Sequence, residues 1–561
     1  MDAFHDTFTH SATSQSYFIQ IQDLGSVVAR IASTDDADAD WVQNLVQRAH
    51  DALPPAPTTP DDADADQDHD DNETSAPPPK DTPESLAAKR TVLNDLVRRL
   101  ADAQSPSDAA ASGRLLNHLG DRDLVGFTNL FLSLGLALLL APEHRADLAA
   151  LVRSLVQALA PPATVQVPTS HPTLASRYTA LATLFNALPA TTNDEALSPA
   201  RLEALTTLVR LACAHDDVAI LRPALAARAL EQHLAGASTQ HEADQAAAQV
   251  VEALLKNAGA SRSSDPIGTA QLAREILLNR LEAAQVQAGS PQPESEQSDV
   301  RARLGATLLA LSLASNDVYD FTPLAPSAGR FPALASAGAA AAAGSDAAAP
   351  LRRVLEVLLS ADGAPQVEAL PSQAELDHAL REATLLPGND SHALDRVQLE
   401  RKVRLVRLAR LCEEQVGREV PYEVIRREIG LARAQGAEDS REDDEEEEEV
   451  EMWVIDAIRA SLLQGRLSQP TRSLHVTRAA PLSTSFTADD KKPWETIQGR
   501  LEGWKEALER VTRSVERSLG AAGAGGAQVQ GQGGRQGGLP MVNGHKEEVV
   551  GGQQLPPPVE V

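Results

Sequence analysis

The chain has 561 residues, 42% of them hydrophobic but only 3% aromatic, and 79 acidic against 50 basic residues leave a net charge of −29. An apolar palette dominated by Leu, Ala and Val favours helices over β-sandwiches. So large an acidic excess excludes a protein whose main task is neutralising phosphates over its whole surface, and leaves room only for local nucleic-acid contact.

From the N-terminus, "MDAFHDTFTHSATSQ" has neither a basic region nor an apolar one, so no secretory signal is expected. Residues 54–84 are acidic, Pro-rich and nearly devoid of large apolar side chains, which cannot offset the entropy of ordering them. A mostly disordered, acidic region is therefore expected over 1–84. A helix is predicted from Thr82, a capping residue followed by Pro83, with Leu86, Leu93, Leu96, Val97 and Leu100 on one side. Residues 124–141, "LVGFTNLFLSLGLALLLA", are nearly long enough to span a bilayer, yet Thr128, Asn129, Ser133 and Gly135 interrupt them and Pro142 stops them. A buried helix is the expectation there, and no membrane contact.

Single apolar stripes recur downstream. Leu174, Tyr178, Leu181, Phe185 and Leu188 form one, and Leu202, Leu205, Leu208, Val209 and Ala212 the next. Short antiparallel helices of this kind bury their stripes by stacking in pairs, which describes an irregular α-solenoid. Residues 288–299, 336–350 and the Gly/Gln-rich tail from about 520 are compositionally biased and expected to be disordered. Cys213 and Cys412 lie far apart in apolar, helical surroundings without metal-ligand spacing, as reduced core thiols of a cytosolic or nuclear protein do.

The pattern changes near residue 394. "ALDRVQLERKVRLVRLARLCEEQ" predicts a long helix, and "VPYEVIRREIGL" a short one with Pro421 in its first turn. "VEMWVIDAIRASLLQ" predicts a third, ending at Gly465. "GRLSQPTRSLHVTRAA" then alternates about Gln469-Pro470-Thr471, a two-stranded wing. Three helices and a hairpin make a winged helix. On a helical wheel Val450, Val454, Ile455, Ile458 and Leu462 face the core, while Asp456 and Arg459 point outward beside Met452 and Leu463. That outward face is poor in the basic and amide groups that groove reading needs. The eight acids from Glu442 to Glu449, expected as a solvated loop, would also repel phosphates. The helix is therefore expected to contact protein. Last, Trp494, Ile497, Leu501, Trp504, Leu508, Val511, Val515 and Leu519 recur at steps of three and four, a narrow seam expected to be a partner interface.

A solenoid, a winged helix and one more long helix, carried by "RKVRLVRLARLCEEQ", "YEVIRREIGL", "VEMWVIDAIRASLLQGRLSQPTRSLHV" and "WETIQGRLEGWKEALERVTRSVERSL", resemble the PCI family. Its members scaffold the proteasome lid, the COP9 signalosome and eukaryotic translation initiation factor 3. The likeness is strongest over residues 400–519 and leans to the initiation-factor branch. The acidic insertion at 437–449, the Ala-rich one near 340 and the extended termini depart from the family pattern.

The resemblance implies a PCI fold: N-terminal helical repeats over 85–225, a PCI domain over 226–484 with its winged helix at 394–484, an assembly helix at 490–519 and a tail over 520–561. It further implies a non-catalytic cytoplasmic scaffold. The implied partners are the other subunits of initiation factor 3 and the small ribosomal subunit, and the implied role is support of mRNA and initiator tRNA recruitment, with RNA touched only within the assembly. A lid or signalosome subunit is the alternative, and a nucleic-acid-binding winged-helix regulator the second. No Walker loop, strand-borne dinucleotide fingerprint, HExxH or zinc spacing occurs, so no catalytic residue, cofactor or metal ligand is assigned. His215, beside Asp216 and Asp217, is expected in an inter-helix loop, and His475 on the wing is expected to be structural.

Overall fold

The computed structural model describes residues 17–32, 37–53, 81–103, 119, 121–160, 174–189, 195–226, 228–260, 263–287, 295–321, 324, 347–360, 367–386, 394–431, 440–482 and 491–524. The chain divides into two units, Met1–Ser485 and Phe486–Val561.

The first unit is built from helices in succession: α1 (Tyr17–Ala32), α2 (Ala37–Asp51), α3 (Pro83–Asp102), α4 (Asp121–Leu139), α5 (Arg145–Leu159), α6 (Leu174–Ala187), α7 (Leu197–Ala214), α8 (Val218–Leu225), α9 (Arg228–Leu234), α10 (Gln240–Ala258), α11 (Pro266–Gln287), α12 (Ser295–Ala314), α13 (Ala349–Leu359) and α14 (Gln373–Ala383). A winged helix follows: α15 (Arg396–Glu414), β1 (Glu419–Pro421), α16 (Tyr422–Ile429), α17 (Ser440–Arg459), β2 (Leu463–Ser468) and β3 (Ser473–Ala479). The second unit holds α18 (Lys491–Ala524). The expected class, an all-α helical repeat ending in a winged helix with a small sheet, is what the chain adopts.

Packing follows the stripes. α4 lies against α6, α5 against α7, α7 against α10, and α10 against α11, each helix touching its near neighbours. One continuous apolar core runs from Ile21 to Leu482. α3 starts as its sequence requires, with Thr82 Oγ1 accepting from the Ser85 amide at 3.2 Å and Pro at the first turn. Phe127, Leu130 and Phe131 of α4 are buried in that core, and among the described residues no helix is long and apolar enough to cross a membrane. Cys213 and Cys412 are buried and unbridged, and burial pushes both thiols up to about 12.

The N-terminal region differs from the expectation. α1 and α2 pack on each other and on α3, with Ile21, Leu24, Val28, Ile31 and Leu45 in the core. Their stripes lie outside the acidic Pro-rich segment, of which 54–80 is outside the described residues, and that segment's composition masked them. The biased stretches at 288–299 and 336–350 likewise give way to helix at Ser295 and Ala349, their remaining residues being outside the description apart from a turn at 347–348.

Buried and half-buried cations close several helix ends. Arg90 Nε donates to the Leu138 carbonyl at 2.9 Å, Arg177 Nε to Leu159 at 2.8 Å, and Arg201 to Phe185 at 3.3 Å and His233 at 3.2 Å. Arg410 donates to Leu358 at 2.8 Å and Ser360 at 2.9 Å. Each recipient lies in the last turn of a helix or just beyond it, where carbonyls lack intrahelical donors and the dipole is negative. Lys402 does this most fully. Its Nζ donates to the carbonyls of Ser312, Leu313 and Ser315 at 3.0, 3.0 and 2.6 Å, with the rings of Tyr319 and Phe321 at 5.6 and 5.2 Å. This bolts α15 to the end of α12. A second network holds the repeats: Arg280 reaches Asp244 at 2.7 Å and Glu231 at 3.2 Å, while Arg301 takes Asp244 at 2.9 Å.

The wing is a three-stranded antiparallel sheet in the order β1-β3-β2. β2 and β3 turn over 469–472, where Arg472 N–H donates to the Gln469 carbonyl at 3.1 Å and Arg472 takes a φ of 46°. β1 was not anticipated, because three residues ending in Pro carry no strand pattern. Pro421 closes β1 and caps α16 instead of entering its first turn.

α17 corrects three expectations. It begins at Ser440, so the whole acid run is helix rather than loop. It ends at Arg459, not Gly465. Ser461 adopts a φ of 59°, its N–H donating to Ile458 while that of Leu462 returns to Ala457, a Schellman closure made without glycine. Gly465 sits in β2 at a bulge, where a Cβ would come within 2.7 Å of the His475 carbonyl oxygen. Finally, Val450, Val454, Ala457, Leu462 and Leu463 are buried, whereas Ile455 and Ile458 are 38% and 36% exposed. Apolar spacing alone had placed the two isoleucines inward and Leu463 outward on the wheel.

Two substitutions test this frame. Lys402→Met removes the donor from three carbonyls at once and should lower unfolding stability by about 2–4 kcal/mol in urea titration. Burial lowers the Lys402 pKa to about 7, so the native chain holds this proton less tightly than the unfolded chain does. The wild type should therefore gain stability as pH rises from about 7 toward the unfolded value near 10.4, and the variant should lack that rise. Leu462→Ala should cost about 2–4 kcal/mol and Ile455→Ala under about 1 kcal/mol, whereas equal core positions would give similar costs.

Candidate partner surfaces of the winged helix and terminal helix

The helix that would enter a groove is occupied along much of its length by the protein itself. Glu451 accepts from Tyr422 Oη and from Gln469 Nε2, both at 3.1 Å. Burial and this bond raise the Tyr422 phenol to about 12. Glu447 pairs with Arg472 at the wing turn at 2.8 Å, and Asp456 is held by Arg401 of α15 at 2.7 Å. Trp453 lies under the Arg404 guanidinium at 5.5 Å. Gln464, past the end of the helix, belongs to β2.

What remains outward is apolar and charged: Met452 is 61% exposed and continues with Ile455 and Ile458 to Arg459. A helix whose first turns carry acids is favoured by its macrodipole, and the same acids oppose a phosphate backbone. The arrangement suits contact with protein better than a DNA groove.

α18 carries the seam expected from the sequence. Trp504 is 71% and Leu508 67% exposed, and Leu501, Val511 and Val515 are also exposed. Trp494, Ile497 and Leu519 lie in the same helix, their side chains outside the described residues. The helix runs to Ala524, five residues beyond the expected end. Polar bonds on its surface are local, such as Arg513 to Glu509 at 3.3 Å. Five large apolar side chains in water along one helix form a surface that solvent does not stabilise.

Among the described residues no group of three His, Cys, Asp or Glu is placed to hold a metal ion. His215 closes α7, in the inter-helix turn expected for it. There Asp216, at a φ of 61°, accepts from the Ser264 amide at 2.8 Å and from Asn257 at 3.3 Å, and Asp217 accepts from Tyr178 at 2.8 Å. These bonds tie neighbouring repeats together. His475 lies in the central strand, opposite Glu419 and Arg466.

Comparison with known proteins agrees with this architecture. Residues 389–478 match the PCI domain family. The chain is 27% identical over 402 residues to eukaryotic translation initiation factor 3 subunit M of Aspergillus terreus, covering 72% of each chain. It is 28% identical over 403 residues to subunit M of Aspergillus clavatus, covering 72% of this chain and 70% of that one. It is 31% identical over 226 residues to the Emericella nidulans protein, there covering 39% of this chain and 41% of that one. The winged helix coincides with the segment that matches the PCI domain family, and the chain as a whole is similar to subunit M of eukaryotic translation initiation factor 3.

Proposed function

We propose that the chain is a non-catalytic scaffold subunit of translation initiation factor 3, acting in the cytoplasm. In this reading it supports binding of the complex to the small ribosomal subunit and recruitment of mRNA and initiator tRNA, and it touches RNA only within the assembly. The observation that carries the proposal is the seam on α18, from Leu501 to Val515, which leaves large apolar side chains in water in a chain that also matches the PCI domain family. Trp494, Ile497 and Leu519 extend that seam by spacing. The remaining positions are mostly charged or small, of both signs, as flanks of a coiled-coil seam are. The helical repeats over 85–225 and the domain over 226–484 then serve to hold the winged helix in place within a larger particle.

Affinity purification of the endogenous protein should recover initiation factor 3 subunits together with small-subunit ribosomal proteins. Recovery of proteasome-lid or signalosome subunits at comparable stoichiometry would name a different complex. Trp504→Ala combined with Leu508→Ala removes central apolar anchors, each such truncation typically costing about 2–4 kcal/mol at an interface. The pair should abolish co-purification while leaving helical circular dichroism and the thermal transition unchanged. Unfolding of the isolated double variant would instead show that the stripe packs within the chain.

A further inference from the structure

The apolar ridge on α17 carries in its flanking charges a description of what covers it. Met452, Ile455 and Ile458 succeed one another at steps of three, which aligns them on the exposed side of the helix. At the N-terminal end of the ridge Glu448 and Glu449 are exposed, and among the described residues no cation lies within ion-pair distance of either. Their neighbours are already engaged, Glu447 by Arg472 and Glu451 by Tyr422 and Gln469. At the other end stands Arg459, which shares Asp456 with Arg401.

We propose that this ridge docks an amphipathic segment of a protein partner, one that lays apolar side chains on Met452, Ile455 and Ile458 and sets Lys or Arg against Glu448 and Glu449. Nucleic acid fits poorly, because Glu448 and Glu449 close an unbroken run of eight acids beginning at Glu442 and would face a phosphate backbone within a Debye length. A second copy fits poorly as well. It could offer Arg459 against that run, but Arg459 already shares a carboxylate, and each copy adds its own −29. A basic amphipathic partner covers the apolar surface and supplies the missing counter-charge in one contact, and the acids would accelerate its approach.

The proposal stands whichever complex the chain enters, and its test is separate from that of the terminal seam. A photo-reactive phenylalanine derivative placed at position 455 of the full chain, irradiated in the purified native assembly, should cross-link to one segment of another protein. Mass spectrometry should find Lys or Arg within two helical turns of the cross-linked residue. Met452→Gln with Ile455→Gln, and separately Glu448→Lys with Glu449→Lys, should each cut retention of that partner at least tenfold with the thermal transition unchanged. The charge-reversed pair should also lose the salt dependence that the wild type shows between 0.1 and 0.5 M, a range over which screening lengths fall from about 10 Å to under about 5 Å. A cross-link to RNA, to the chain's own residues, to a second copy or to a segment without basic residues would overturn the proposal. So would no cross-link at all, or retention unchanged in both pairs.

Discussion

An ammonium group cannot enter a protein interior unless every proton finds an acceptor, and the last carbonyls of a helix cannot be buried unless each finds a donor. Lys402 and the end of α12 meet both requirements at once, with three protons and three carbonyls. The outward faces of the winged helix depend on this match, because α15 carries Lys402 and also positions α17 through Arg401 and Arg404. Removing the lysine would leave an uncapped helix end at the junction of the repeats with the winged helix. The same exchange, made by Arg90, Arg177, Arg201 and Arg410, recurs along the repeats. Burial lowers the pKa of Arg177, Arg201 and Arg410 too, yet an arginine stays charged, so these caps persist across the accessible pH range.

Such capping explains what was legible beforehand. Stripes set by apolar spacing, such as Leu93, Leu96 and Leu100 or Leu205, Leu208 and Val209, could be seen because burial repeats with the helical period. Starts marked by a local capping residue, as at Thr82, were equally plain. Ends were not, because their donors come from distant residues: the partner of Ser312 is ninety positions away. Where an end does close locally, it closes on Ser461 or Asp216, whose left-handed backbone gives no glycine signal, whereas α16 stops visibly at Gly430. Strand β1 is defined by its partner β3 rather than by its own sequence.

The site was legible in part for the same reason. A seam at steps of three and four announces itself on α18. On α17 the wheel counted Ile455 and Ile458 into the core because it weighs hydrophobicity and ignores supply. The module has only so much inner surface, and Val450, Val454, Ala457, Leu462 and Leu463 fill it. The surplus faces outward. Continuation of the helix into the acid run was hidden as well, since a dense charge run on its own favours extended, solvated chain. Here the helix N-terminus attracts negative charge, and the Glu447–Arg472 pair fastens part of the run to the wing.

These two apolar faces belong to a chain with a net charge of −29. Like charge on two copies opposes their approach, while apolar area in water favours any approach that covers it. The two tendencies are reconciled only by unlike partners, chains that bring complementary apolar stripes and a more basic surface. Under our proposals, the charge that would keep the free subunit from associating with itself is then the charge that selects its neighbours. The winged helix has the form of a nucleic-acid reader, while the outward side of its third helix carries mostly aliphatic side chains and carboxylates.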